Sequence, residues 1–145
     1  MWAKYDIVHP AVAALLTEQL KFQQPTDIQK EVFENYKHYY DFLLASQTGS
    51  GKTLAFAIPI VSELLNLKCE GKLEQPNPLS CLILTPTREL ALQIEEHIKA
   101  INVENQLLIT NIIGGLSREK QLRLLSYRPD IVIATPGRLH ELLSE

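Results

Sequence analysis

Apolar residues in this chain recur with two spacings, and the alternation between them sets the first expectation. "PAVAALLTEQL" (Pro10 to Leu20) has helical spacing, with proline in the first turn where its missing N–H leaves no bond unmade. A second helix is expected from Thr26 toward Tyr36. "DFLLA" (Asp41 to Ala45) reads as a short buried strand, and "KTLAFAIPIVSELLNL" (Lys52 to Leu67) as a helix bent at Pro59. Glu70 to Ser80 is polar and rich in turn formers, hence a loop. Three further apolar runs read as strands: "CLILTP" (Cys81 to Pro86), "QLLITNII" (Gln106 to Ile113) and "DIVIAT" (Asp130 to Thr135). Helical spacing returns over Arg88 to Ile101, Ser117 to Ser126 and Pro136 to Ser144.

Strands alternate with helices, and the strands are continuous apolar runs without a two-residue period. That combination predicts an α/β domain with a parallel sheet covered on both faces. Ligands of such sheets sit at the carboxyl ends of the strands. The turn Ser46 to Thr53, the segment "TPTRE", the pair Gly114-Gly115 and "TPGR" each follow an expected strand, so all four are expected on one rim.

The first of these carries the clearest chemistry. "SQTGSGKT" (Ser46, Gln47, Thr48, Gly49, Ser50, Gly51, Lys52, Thr53) has Gly-Lys-Thr in register between an expected strand and a helix. Its glycines let backbone N–H groups turn inward around a phosphate, and the helix N-terminus adds partial positive charge. Lys52 is placed to reach the β- and γ-phosphates of a nucleotide, and the Thr53 hydroxyl to ligate Mg²⁺. The general pattern begins with glycine, and here Ser46 stands in that place.

Charge and composition narrow the partners. The chain has 145 residues, enough for one domain, and a formal net charge of −3. Bulk positive charge is therefore not how it would hold nucleic acid; any such contact must be local. "SREKQLRLLSYR" (Ser117 to Arg128) is the one locally basic stretch and reads as a solvated helix face. No apolar stretch approaches the roughly 18 residues that span a bilayer, and the opening residues lack the apolar core of a secretory leader. Cys69 and Cys81 are isolated, as are His9, His38, His97 and His140, so neither disulfide nor metal chemistry is indicated. The thiols fit a reducing, intracellular compartment.

Taken together, "SQTGSGKT", "PTRELALQ" (Pro86 to Gln93), Gly114-Gly115 and "TPGR" (Thr135 to Arg138) resemble the motif series of DEAD-box ATP-dependent RNA helicases. "KFQQPTDIQ" (Lys21 to Gln29) is similar to that family's Q motif. The resemblance covers essentially the whole chain and implies a RecA-like P-loop domain over residues 1–145, incomplete at its C-terminal end. It implies ATP and Mg²⁺ as cofactors, with Lys52 and Thr53 as the catalytic groups present. Gln29 would read the adenine edge, beside Thr26, and Phe22 would pack on the base. On the residues alone Thr26-x-x-Gln29 is also a capping box, and the two roles are compatible. The resemblance further implies an RNA path over Pro86, Thr87, Arg88, Gly114, Gly115, Thr135, Pro136, Gly137 and Arg138. There two helix N-termini and two arginines meet the sugar–phosphate backbone without sequence preference. Each segment also has a plain structural reading: a surface ion pair for Arg88, a strand–helix turn for Gly114-Gly115, and a threonine cap followed by proline for Thr135-Pro136.

Several positions depart from the family pattern: Lys21 for glycine, Gln23 and Gln24 for a charged pair, Asp27 for an apolar residue and Ser46 for alanine. Trp2 and Tyr5 compete for the family's isolated upstream aromatic. The Trp-led start and "GGLSREKQLRLL" are similar to nucleolar members acting on large-subunit ribosomal precursors. No Asp-Glu-Ala-Asp box occurs before Glu145, nor does the second RecA-like lobe with its arginine fingers, so this polypeptide is expected to bind without hydrolysing. Two other classes remain open on sequence: a non-catalytic nucleotide-binding module, and a P-loop enzyme of another kind.

Overall fold

In the computed structural model, which describes residues 1–73 and 79–144, three short strands carry the sheet. They are β1 (Cys81–Leu84), β2 (Ile109–Ile112) and β3 (Ile131–Ala134), in the order β1-β3-β2, with β3 parallel to both neighbours. Ile131 is level with Cys81 on one side and Ile109 on the other, which fixes the register. The sequence Ile-Val-Ile-Ala suits the central place, because side chains alternate between faces and both faces of β3 are buried.

The helices divide accordingly. Ile131 and Ile133 face the larger core, with α1 (Pro10–Glu18), α2 (Asp27–Asn35), α3 (Lys52–Cys69) and α4 (Arg88–Ile101). Val132 and Ala134 face a smaller cluster with Ile112, closed by Leu125 of α5 (Arg118–Ser126) and Leu139 and Leu142 of α6 (Pro136–Leu143). His9 caps α1 by accepting from Ala11 N at 3.1 Å, and its own N–H donates to Ser62 Oγ at 2.9 Å, which ties α1 to α3. This is a structural role, as expected for a histidine without ligand-like neighbours. α3 runs unbroken through Pro59, which is buried against the larger core. The basic face of α5 is solvated.

Two expectations are corrected. Asp41 to Ala45 belongs to no strand: among the described residues nothing pairs with its backbone, and Leu43 is almost wholly exposed while only Leu44 reaches the core. An apolar run becomes a strand only when a ladder partner satisfies its N–H and C=O groups, and β1 and β2 pair with β3 instead. The sheet is also not covered throughout: β2 and β3 are enclosed on both faces, but β1 is open on one. Leu82 and Leu84 of β1 are 45% and 56% exposed, because α5 and α6 close over β2 and β3 and do not reach the outer strand. The loop expected over 70–80 lies partly outside the described residues.

Candidate nucleotide and RNA site

Residues 46–53 form a turn whose shape depends on its glycines. Gly49 has φ +79° and Gly51 has φ +89°, in the left-handed region that side chains disfavour. Ser50 N donates to Gln47 O at 3.2 Å, and Lys52 Nζ reaches back to Ser46 O at 2.6 Å, closing the turn. Gly51 is the N-cap of α3 and offers no side-chain cap, so the first N–H groups of that helix remain open to an anion. Ser50 Oγ is buried with no partner among the described residues. An orphaned hydroxyl, uncapped helix N–H groups and an ammonium in one turn are a donor set that suits phosphate oxygens. Among the described residues no group of three or more His, Cys, Asp or Glu is arranged to hold a metal.

The second element packs directly on this turn. Gln29 is 3% exposed. Its Oε1 accepts from Thr26 N at 2.9 Å, the reciprocal half of a capping box, so the structural reading of this glutamine holds. Its Nε2 donates to Gly51 O at 3.1 Å, a contact 22 residues away in sequence. A Cβ on Gly51 would meet Gln29 Nε2 at 2.6 Å and Thr26 Oγ1 at 3.0 Å, so the close approach itself requires glycine. One N–H and one lone pair of the amide remain uncommitted.

Both elements line one cavity of about 1050 Å³, which Phe22, Thr26, Gln29, Thr48, Lys52 and Thr53 share. Phe22 stands there half-exposed. Leu44, Leu54 and Phe56 line it too without having been singled out in the sequence, and so does one face of α4, Leu90, Gln93, Ile94 and His97. Their spacing of three and four residues was the available signal, but it reads equally as a solvated face. Trp2 also lines the cavity; it is buried and donates from Nε1 to Phe22 O at 2.6 Å, whereas Tyr5 packs edge-on against Phe33.

The remaining motif residues meet at the carboxyl ends of the three strands. Thr87 caps α4, accepting from Leu90 N at 3.2 Å. Arg88 Nη1 donates to Gly114 O at 3.2 Å, and Gly115, at φ +80°, lacks the Cβ that would overlap the same guanidinium. The Gly-Gly turn thus seats Arg88, while a Cβ on Gly114 would stand in open space. Thr135 is the N-cap of α6 and Pro136 its first residue, but the Thr135 side chain makes no capping bond, which leaves that helix terminus with free donors near Gly137. Arg138 Nη1 donates to Leu116 O at 2.9 Å and to Gln121 Oε1 at 3.0 Å. Arg88 and Arg138 are therefore both fastened to the segment 114–116.

Comparison with known proteins accounts for this grouping. A model of the DEAD/DEAH box helicase family matches residues 26–145. DEAD-box ATP-dependent RNA helicase 13 of Oryza sativa subsp. japonica is 44% identical over 150 residues, covering 94% of this chain and 18% of the rice protein. The yeast DEAD-box splicing factor Prp28 superposes with a TM-score of 0.82 at 34% identity, over 99% of this chain and 34% of its own. The DEAD-box helicase Mss116 bound to ssRNA and UDP-BeF superposes with a TM-score of 0.79 at 30% identity, over 98% of this chain and 29% of its own. This chain spans under a quarter of the rice protein's length and about a third of each solved chain. Because the family match begins at Thr26 and takes in every segment described above except Phe22 and Trp2, the chain belongs to the DEAD/DEAH box helicase family.

Proposed function

We propose that this domain is the nucleotide-binding lobe of an ATP-dependent RNA helicase, holding ATP with Mg²⁺ and supplying part of a single-stranded RNA path. The observation that carries the proposal is the Gln29–Gly51 contact. It joins an amide able to read adenine to the turn able to hold phosphate, on one cavity. Lys52, now bonded to Ser46 O, would hold phosphate oxygens, and Thr53 Oγ would be the protein ligand to the cation. The Gln29 amide keeps a donor and an acceptor for the adenine edge, and Phe22 covers the ring. When bound, ATP supplies the free energy of phosphoryl transfer to the larger protein, in which a second RecA-like lobe closes on this one.

On the RNA side, Arg88, Arg138 and the uncapped start of α6 offer donors to phosphates and none to base edges. Binding on this reading is sequence-independent and salt-sensitive, with RNA preferred through its 2′-hydroxyls. The larger protein would use this grip to remodel or separate short duplexes. On this reading the polypeptide alone binds nucleotide without turnover, because no acidic side chain lines the cavity among the described residues to work beside Lys52 and Thr53.

The test is a calorimetric titration with ADP and GDP in Mg²⁺. ADP is expected to bind selectively, Gln29→Ala to abolish the preference, and Lys52→Ala to weaken both ligands roughly 10- to 150-fold, the worth of one charged hydrogen bond. Equal affinity for ADP and GDP would refute adenine reading by Gln29.

A further inference from the structure

We propose that Gln121, to which the sequence assigned no role, is the positioning residue that holds Arg138 ready for an RNA phosphate; the inference rests on the RNA path proposed above. α5 is a solvated helix in which Gln121 alone is buried, at 0% exposure. A fully buried amide is unfavourable by several kcal/mol unless both its ends are paired. Here both are: Nε2 donates to Ile113 O at 2.8 Å, and Oε1 accepts from Arg138 Nη1 at 3.0 Å. The side chain therefore ties the residue just before the Gly-Gly turn to the first turn of α6.

The consequence for Arg138 follows from its donor inventory. A guanidinium has five N–H groups in a rigid fork. Nη1 uses both of its own, on Leu116 O at 2.9 Å and on Gln121; Nε is in ion-pair range of Glu141 Oε2 at 2.9 Å but is not aligned for a hydrogen bond to it. Nη2 has no partner among the described residues, and the side chain is only 15% exposed. Two hydrogen bonds from Nη1, to the 114–116 segment and to α5, and the charge of Glu141 thus hold the guanidinium in place and leave Nη2 for a ligand. An arginine already held in one rotamer loses little entropy when phosphate arrives, whereas a free one loses much. Gln121 contributes nothing to RNA directly; it acts through the placement of Arg138.

The experiment compares wild type, Gln121→Met, Arg138→Ala and the double variant. Each is titrated by fluorescence anisotropy with a labelled oligouridylate at several salt concentrations, with ADP affinity and thermal melting measured in parallel. Methionine matches glutamine in length and removes both polar ends. Arg138→Ala is expected to weaken RNA roughly 10-fold or more and to reduce the slope of log K against log salt by about 0.7, one single-strand phosphate. Gln121→Met is expected to weaken RNA roughly 2- to 10-fold, to shift the slope in the same direction, and to leave ADP affinity unchanged. The double variant is expected to bind no worse than Arg138→Ala. If the two losses add, or if Gln121→Met lowers the melting temperature without moving the salt slope, Gln121 is structural and the proposal fails. Should Arg138→Ala itself leave affinity and slope unaltered, the RNA path fails at Arg138 and the proposal with it. If Gln121→Met does not fold, Gln121→Glu keeps the length and the acceptor. Its carboxylate is expected to neutralise Arg138 and bring the salt slope to the Arg138→Ala value, and an unchanged slope would overturn the proposal.

Discussion

Replacing Gly51 by alanine separates two effects that a glycine-rich turn usually confounds. The first is backbone strain: at φ +89° an L-residue costs about 1–2 kcal/mol. The second is the neighbour, since the new Cβ stands 2.6 Å from Gln29 Nε2 and forces that amide off Gly51 O. Losing the bond and leaving a buried donor unpaired costs about 1–3 kcal/mol more. Gly51→Ala is therefore expected to destabilise the domain by about 2–5 kcal/mol. At about 2–4 °C per kcal/mol for a domain near this size, the melting temperature falls by roughly 5–15 °C. Gly49 is the internal control: its φ is +79°, yet an added Cβ meets nothing within 4 Å, so Gly49→Ala carries only the strain, about 1–2 kcal/mol. Urea denaturation of both variants, repeated in a Gln29→Ala background, isolates the contact as a coupling energy. With Gln29 truncated, the extra penalty at Gly51 is expected to fall to what the Thr26 side chain, 3.0 Å from the added Cβ, still imposes. Equal destabilisation by Gly49→Ala and Gly51→Ala in the parent chain would refute the claim that Gln29 is seated on the phosphate turn.

Two further predictions concern the other motifs and the far end of α3. Gly115→Ala is expected to displace Arg88, whose Nη1 occupies the missing Cβ, and to weaken oligouridylate binding about as much as Arg88→Ala, roughly 10- to 150-fold; an unaltered affinity would remove Arg88 from the RNA path. Tyr36 donates to Glu63 Oε2 at 2.9 Å, and burial, followed by that hydrogen bond and the carboxylate charge, pushes its phenol above the usual value of 10.0. The neutral phenol is thus favoured in the folded state, so its contribution is complete below pH 10.0 and is lost as pH rises through the higher folded value. Tyr36→Phe is expected to flatten this alkaline fall in stability, measured by urea melts across that range.

Much of the domain was legible from residues alone, for reasons that are local. The helices at Pro10, Arg88 and Pro136 begin at the expected residues, because caps, first-turn prolines and apolar spacing act within a few positions. The tight turn before α3 was legible because Gly-Lys-Thr specifies where backbone turns left-handed and where the helix begins. The grouping of Arg88, Gly114 and Arg138 followed from one topological rule, that loops after parallel strands share a rim.

What the tertiary structure alone decided is which groups touch. "DFLLA" has the composition of a strand and is not one, because a strand needs a partner's N–H and C=O groups and sequence spacing does not supply them. Leu82 and Leu84 belong to a run as apolar as β3 yet stay open, since burial depends on what lies opposite. Gln29 read as a helix cap and serves as one, but its second bond, to Gly51, crosses 22 residues and leaves no trace in local pattern. Gln121 looked like one polar residue on a solvated helix; only the packing of α5 against the end of β2 and the start of α6 buries its amide between a carbonyl and an arginine. Local sequence determines the elements and their caps through bonds within a turn or two, whereas long-range hydrogen bonds and burial are properties of elements brought together by the fold.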